Sequence, residues 1–278
     1  MSNGRISDHL RYMTVRILTS EQDNTSWTGA GTGFLYRFAR EAEQVPLLVT
    51  NKHVIDGAVV IGLTFHITAD NNENPAPGAG RLIAIGSSQL PIIRHPDPNV
   101  DLAAIALAPI IDHAVNHEGW HPFIKCLDKS NLPSDQMIGD FGALEDVVMV
   151  GYPTGIVDAV NNFPIVRRGI TSTPYTTDYQ GKQEFLADIP VYGGSSGSPI
   201  FIVNEGGYST PNAFIMGGRF ALIGVLYAGH TETVDGHIVA EPIPTNLMPV
   251  AKVKHMINLG LCIKSVLIED LAAQIPGW

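Results

Sequence analysis

The apolar residues of this chain fall in short β-branched and aromatic runs, cut every few positions by Gly, Pro, Asn or Asp. Runs of that length bounded by turn formers read as strands. Met13–Leu18 alternates weakly. Gly31–Phe38 and Pro46–Thr50 form a pair around an insertion, Ala39–Val45. Val59–Thr68, Arg81–Gly86, Leu90–Arg94 and Leu102–Leu107 follow. From about Ile110 to Ala143 the pattern is irregular, with several histidines and the turn Leu132-Pro133-Ser134-Asp135. A second series then begins: Asp146–Gly151, Pro164–Ser172, Glu184–Ile189, Pro199–Val203, Phe220–Tyr227 and His237–Pro242. Two series of roughly six strands, separated by a connector, predict an all-β chain of two similar antiparallel barrels. The C-terminus changes character: Asn246–Asn258 and Ser265–Ile275 space their apolar residues as helices do, and Gly260 stands where a helix would stop. The expected organisation is a barrel over 1–110, a connection over 111–145, a second barrel over 146–245 and a helical extension over 246–278.

Composition narrows the function classes. With 278 residues and 45% hydrophobic content the chain can bury a sizeable core, and 16% charged residues with 28 Gly and 19 Pro suit a compact, turn-rich β protein. The net charge of −10 gives no basic footprint for nucleic acid. The nearest thing to a basic cluster, Arg167–Arg168, reads as part of a solvated strand or loop. No run of about 20 apolar residues is present, so no membrane span is expected. The first residues lack the continuous apolar stretch and small-residue cleavage site of a secretory signal, and the expected location is cytoplasmic. Cys126 and Cys262 then read as structural or free thiols, their pairing left open. By the same logic the sequon Asn24-Thr25-Ser26 reads as a polar loop.

Three segments carry chemistry. In Leu48–Ala58 a strand ends at Thr50 and His53 follows in a tight turn, a mount that holds an imidazole rigidly at a cleft. In Arg94–Leu107 a Pro-rich loop delivers Asp101 onto a strongly apolar strand, where a carboxylate is costly unless paired. A histidine donating its Nδ1 proton is a suitable partner, and the aspartate would fix its tautomer. His95 and Asp97 are nearby competitors, disfavoured because the apolar run starts right after Asp101. In Tyr192–Phe201 glycines flank Ser195 and Ser196, letting the chain turn sharply so that a hydroxyl projects and N–H groups converge. Alone, each segment has a plainer reading: a capping histidine, a turn aspartate, a glycine-rich hairpin. His113, His117 and His121 recur every four residues, but Gly119 and Pro122 break the helix that a metal site would need, so no metal is expected.

Together and in this order the segments resemble the trypsin/chymotrypsin-like serine protease family. The resemblance is closest to its bacterial members, such as the high-temperature-requirement proteases, without a PDZ module. Gly194-Ser195-Ser196-Gly197-Ser198-Pro199 is similar to G-N-S-G-G-P, Thr50-Asn51-Lys52-His53 to T-A-A-H, and Asp101-Leu102-Ala103-Ala104-Ile105 to D-I-A-L-L. Gly31-Thr32-Gly33-Phe34 and Val150–Gly155 resemble the family's G-S-G-F strand and I-G-N-P-x-G turn. The resemblance implies two chymotrypsin-like six-stranded barrels with C-terminal helices. It also implies the triad His53, Asp101 and Ser196, an oxyanion hole from the N–H groups of Gly194 and Ser196, and a serine endopeptidase working through an acyl-enzyme without cofactor or metal. The family register favours Ser196 over Ser195. It places substrate-binding positions at Pro190, the base of the primary pocket, and at Tyr227, Ala228 and Gly229; with no acidic residue at that base, a preference for Lys or Arg is not expected. Ser195 stands where trypsin-like zymogens carry the acidic residue that receives a new N-terminus, so that activation switch is not expected either. The implied partners are a protein or peptide substrate and, left open, a protein regulator. The alternatives are a protease-like fold serving as a binding or latent regulatory module, and an esterase using the same acyl chemistry.

Overall fold

The structure, a computed structural model, describes residues 5–22, 26–40, 43–69, 74–78, 80–237 and 250–277. A short helix α1 (Ile6–Leu10) leads into the first half, whose strands are β1 (Thr14–Ser20), β2 (Gly29–Arg40), β3 (Glu43–Thr50), β4 (Val60–Phe65), β5 (Arg81–Gly86), β6 (Ile92–Arg94) and β7 (Ala103–Ala106). They form one seven-stranded antiparallel sheet in the order β5-β4-β1-β2-β3-β7-β6. Each of the seven apolar runs of this half holds one of its strands, but the two ends of the sheet are not joined. β5 pairs only with β4 and the three-residue β6 only with β7, so the sheet curls as a half-barrel. Of the stretch read as an insertion, residues 39–40 and 43–45 instead prolong the β2–β3 pairing as far as Arg40↔Glu43, and 41–42 lie outside the described residues.

The second half comprises β8 (Asp146–Gly151), β9 (Ile165–Thr171), β10 (Glu184–Asp188), β11 (Pro199–Asn204), the small hairpin β12 (Gly207–Ser209) and β13 (Phe214–Met216), then β14 (Arg219–His237) and β15 (Val250–Lys264). Six of these close a barrel in the order β10-β15-β14-β11-β8-β9. Here the C-terminal expectation needs correction. From Val250 the segment read as a helix over 246–258 is the strand β15, paired with both β14 and β10. Residues 246–249 lie outside the described residues, as do 238–242 of the strand expected there. The apolar spacing of 246–258 fits either period over so short a span. Filling the gap between β10 and β14 satisfies two rows of backbone groups at once, so tertiary pairing overrides the helical pattern. The second expected helix is present as a 3-10 helix, Ser265–Gln274.

Between the halves, the irregular stretch contains α2's later counterparts in the chain: α2 itself is Lys52–Ile55, then come α3 (Ala108–Asn116) and α4 (Asp135–Gly139). α3 buries Ile110 and Ala114 in the first half's core. β2 is buried on both faces. Leu35 faces that core with Ile17 and Leu48. Phe34, Tyr36 and Phe38 face a second cluster shared with Phe201, Leu222 and Val225 of the barrel and with Ile268 and Leu271 of the C-terminal 3-10 helix. This shared apolar layer fixes the halves against each other, and the candidate site lies along their seam. Among the described residues no helix is long and apolar enough to cross a membrane.

Candidate active site

His53 sits on the one-turn helix α2, directly after β3. Its Nδ1 lies 2.5 Å from Oδ2 of Asp101, and its backbone N–H donates to Oδ1 of the same carboxylate at 3.1 Å. Asp101 immediately precedes Leu102 and β7, whose Ala103 pairs with Thr50, so the β3–β7 register delivers the two side chains to one point. Asn51, fully buried, clamps the pair by donating from Nδ2 to the Asp101 carbonyl at 2.8 Å. Lys52 holds the preceding loop through the Asp97 carbonyl at 2.9 Å. A carboxylate bonded at Nδ1 leaves Nε2 of the exposed imidazole as the free nitrogen, the tautomer a general base requires. The competitors have other roles: His95 is buried and bonds Asp270 at 3.2 Å, and Asp97 caps Asn99 at 2.8 Å, which holds its carboxyl below the usual range.

The serine loop enters from the barrel. Ser195 is completely buried; its Oγ accepts from the Tyr192 N–H at 3.3 Å and from Nη1 of Arg167 at 3.0 Å. A hydroxyl so enclosed cannot reach a substrate, which leaves the half-buried Ser196. Its Oγ donates to the Tyr227 carbonyl at 3.4 Å, and no bond to His53 is formed. The structure thus joins His53 with Asp101 but does not link Ser196 to them.

The orientation of two peptide planes follows from their carbonyls. The Gly193 carbonyl accepts from Thr154 N–H at 2.5 Å, and the Ser195 carbonyl from Ser198 N–H at 3.0 Å. In a trans peptide the N–H points opposite to the C=O, so the N–H groups of Gly194 and Ser196 face away from those acceptors. Neither has an acceptor among the described residues. Gly194 takes φ +82°, and a side chain there would meet the Tyr152 carbonyl. Gly197 takes φ +84°, and a side chain there would meet the Thr32 carbonyl. Both positions therefore demand glycine.

Across the seam, Thr32 of β2 fastens the loop. Its Oγ1 donates to the Gly194 carbonyl at 3.0 Å and accepts from the Tyr152 N–H at 3.0 Å, while its N–H donates to the Ser196 carbonyl at 2.8 Å. Of the substrate-binding candidates, Pro190 is partly buried, and its carbonyl accepts from Arg167 Nη1 at 2.7 Å. Tyr227, Ala228 and Gly229 lie on β14 past the last β11 pair, Pro199↔Val225. A bulge leaves Tyr227 out of the β15 register, and its phenol donates to Glu184 at 2.9 Å; burial and that carboxylate push the phenol's pKa upward. Sequence reasoning missed the roles of Thr32, Asn51 and Arg167: Thr32 and Asn51 lie inside quoted motifs but carry no sign of their distant partners, and Arg167 belongs to no motif. Arg168 is indeed exposed, paired with Asp146 at 3.0 Å, but Arg167 corrects the expectation of a solvated arginine pair. Its Nε and Nη2 are buried without hydrogen-bond partners.

Among the described residues no group of three or more metal-ligating side chains is assembled. The rings of His113 on α3 and of His117, just after it, lie 5.2 Å apart and tilted, and Glu118 approaches His113 at 3.5 Å. Both cysteines are free; burial pushes the Cys126 thiol up to about 11 and raises the wholly buried Cys262 further, so neither is a thiolate nucleophile.

A half-barrel and a closed barrel, with a His–Asp pair on one and a glycine-bounded serine loop on the other, define a hydrolase of the chymotrypsin fold. The trypsin-like peptidase domain family matches residues 31–207, and the chain belongs to that family. Among solved structures it is similar to the Mycobacterium tuberculosis protease Rv3671c in two inactive forms. A serine-to-alanine mutant is 14% identical with a TM-score of 0.46, covering 98% of this chain and 91% of the other. The second, the protease in an inactive form, is 16% identical with a TM-score of 0.45, covering 99% and 94%. No curated protein sequence matches the chain.

Proposed function

We propose that this peptidase is a serine endopeptidase with His53, Asp101 and Ser196 as its triad. Two observations carry the reading: the 2.5 Å His53–Asp101 contact, and the Gly194 and Ser196 N–H groups that find no acceptor among the described residues. His53 Nε2 takes the Ser196 proton as the hydroxyl attacks a peptide carbonyl. The oxyanion is received by the two N–H groups, each worth about 3–4 kcal/mol in such chemistry. His53 then protonates the leaving amine, and water resolves the acyl-enzyme. An extended peptide is the natural substrate shape: Tyr227–Gly229 present a strand edge that β11 does not occupy, and a substrate strand can pair there beside Pro190.

The Ser196–Tyr227 bond supports a second reading, a latent protease whose nucleophile is parked away from its base. One experiment separates the two: labelling with a fluorophosphonate probe, which needs only an assembled serine and base. Labelling of the wild type and of Ser195→Ala, but not of Ser196→Ala, supports the endopeptidase with Ser196 as nucleophile. An inert wild type supports the latent fold. Hydrolysis of small esters without peptide cleavage would instead favour the esterase.

A further inference from the structure

Arg167 has a position its sequence neighbours do not explain. It lies on β9, opposite Met149 of β8, in the wall of the closed barrel beneath the serine loop. A single nitrogen, Nη1, reaches both the Pro190 carbonyl at 2.7 Å and the Ser195 hydroxyl at 3.0 Å. It therefore ties the start of the loop to the residue that separates the two outward N–H groups. Ser195 is itself the hub of the loop: its N–H donates to Tyr192, its hydroxyl accepts from Tyr192, and its carbonyl fixes the peptide plane of Ser196.

The rest of the guanidinium is unpaired. Nε and Nη2 are buried without a partner, and among the described residues no carboxylate forms an ion pair with it. Elsewhere in the same barrel, buried or half-buried cations are paired: Arg219 with Glu145, and Lys264 with Asp178. An uncompensated cation is a costly thing to enclose. Burial lowers its pKa to about 10, which still leaves it charged at neutral pH.

We propose that Arg167 is a positioning residue of the peptidase: it holds the Pro190 carbonyl and the Ser195 hydroxyl so that the Gly194 and Ser196 N–H groups stay aimed at the reacting carbonyl. The proposal rests on the serine-hydrolase reading of the same loop.

The test uses the full chain with Arg167→Met, Arg167→Lys, Ser195→Ala and the Arg167→Met/Ser195→Ala double variant. Two readouts are taken on each: hydrogen exchange of the 190–198 segment, and the rate of fluorophosphonate labelling. The Met variant is expected to exchange faster over 190–198 while β14 and β15 keep their protection. Its labelling should fall about ten- to a hundredfold, with partial recovery in the Lys variant. The double variant should lose less than the product of the single losses, since both act through one contact. Wild-type labelling and unchanged loop exchange in the Met variant overturn the proposal. So do multiplicative single effects. If the wild type itself is not labelled, the serine-hydrolase reading has failed, and loop exchange alone decides whether Arg167 holds the loop. If the Met variant does not fold, the Lys and Ser195→Ala variants carry the same two readouts.

Discussion

The two halves contribute to the site in different ways. The half-barrel presents side chains at its rim: His53 and Asp101 are set by the β3–β7 register, and its ion pairs, such as Arg94–Asp56, stand in solvent. The closed barrel presents backbone, two N–H groups on a loop with two left-handed glycines, and it encloses an ion pair, Arg219 with Glu145, both buried. Side-chain chemistry needs only a rigid mount. Backbone chemistry needs every peptide plane of a loop to be fixed, and closure supplies that rigidity. Damage to the first half should therefore cost catalysis at little expense in stability, and damage to the second should cost both.

The largest effect that would test this contrast is Asp101→Asn. The proposed tautomer control would be lost, and kcat should fall by about 10⁴ with thermal stability nearly unchanged; steady-state kinetics and a melting curve check it. Next is Glu145→Leu. Glu145 accepts from the Gly142 N–H at 2.8 Å and from the buried Arg219, and removing it strands that cation between the Tyr208 and Phe141 rings. A loss of about 3–5 kcal/mol in denaturant unfolding is expected. The exposed Arg94–Asp56 pair, by contrast, should yield no more than about 1 kcal/mol when Asp56 is changed to Asn.

Thr32→Val should fall between these. It keeps the shape of the side chain but leaves the Gly194 carbonyl and the Tyr152 N–H without their hydroxyl partner, at about 1–3 kcal/mol. If the seam holds the loop, labelling of Ser196 slows as well; an unchanged labelling rate would mean that the barrel alone fixes it. The smallest effect concerns pH. His66 is buried beside Tyr12 and Phe163, and burial lowers its pKa below the ordinary 6.5. The unfolded chain then binds the extra proton first, so stability is full above about pH 6.5 and declines as pH falls below it. His66→Phe should flatten that part of the curve of melting temperature against pH.

Much of the architecture was legible in the chain. β5 and β8 fall where the apolar runs placed them, at Arg81–Gly86 and Asp146–Gly151, because turn residues bound each run on both sides. His53, Asp101 and Ser196 stood out for the same local reason: each sits where a strand ends or begins next to Gly, Pro or Asn. Where two periods fitted equally, as over 246–258, local pattern could not choose, and the ladder between β10 and β14 did.

The sequence by itself determined that this is a β protein of two halves, and which histidine, aspartate and serine are candidates, since alternation, turn chemistry and glycine freedom are properties of a few adjacent residues. Only the tertiary structure decided that one half is open and the other closed, that Ser195 is buried while Ser196 is not, that Thr32 and Arg167 converge on the serine loop, and that Asn51 holds Asp101. Those facts depend on which backbone groups find partners far along the chain, and no local pattern encodes the partner.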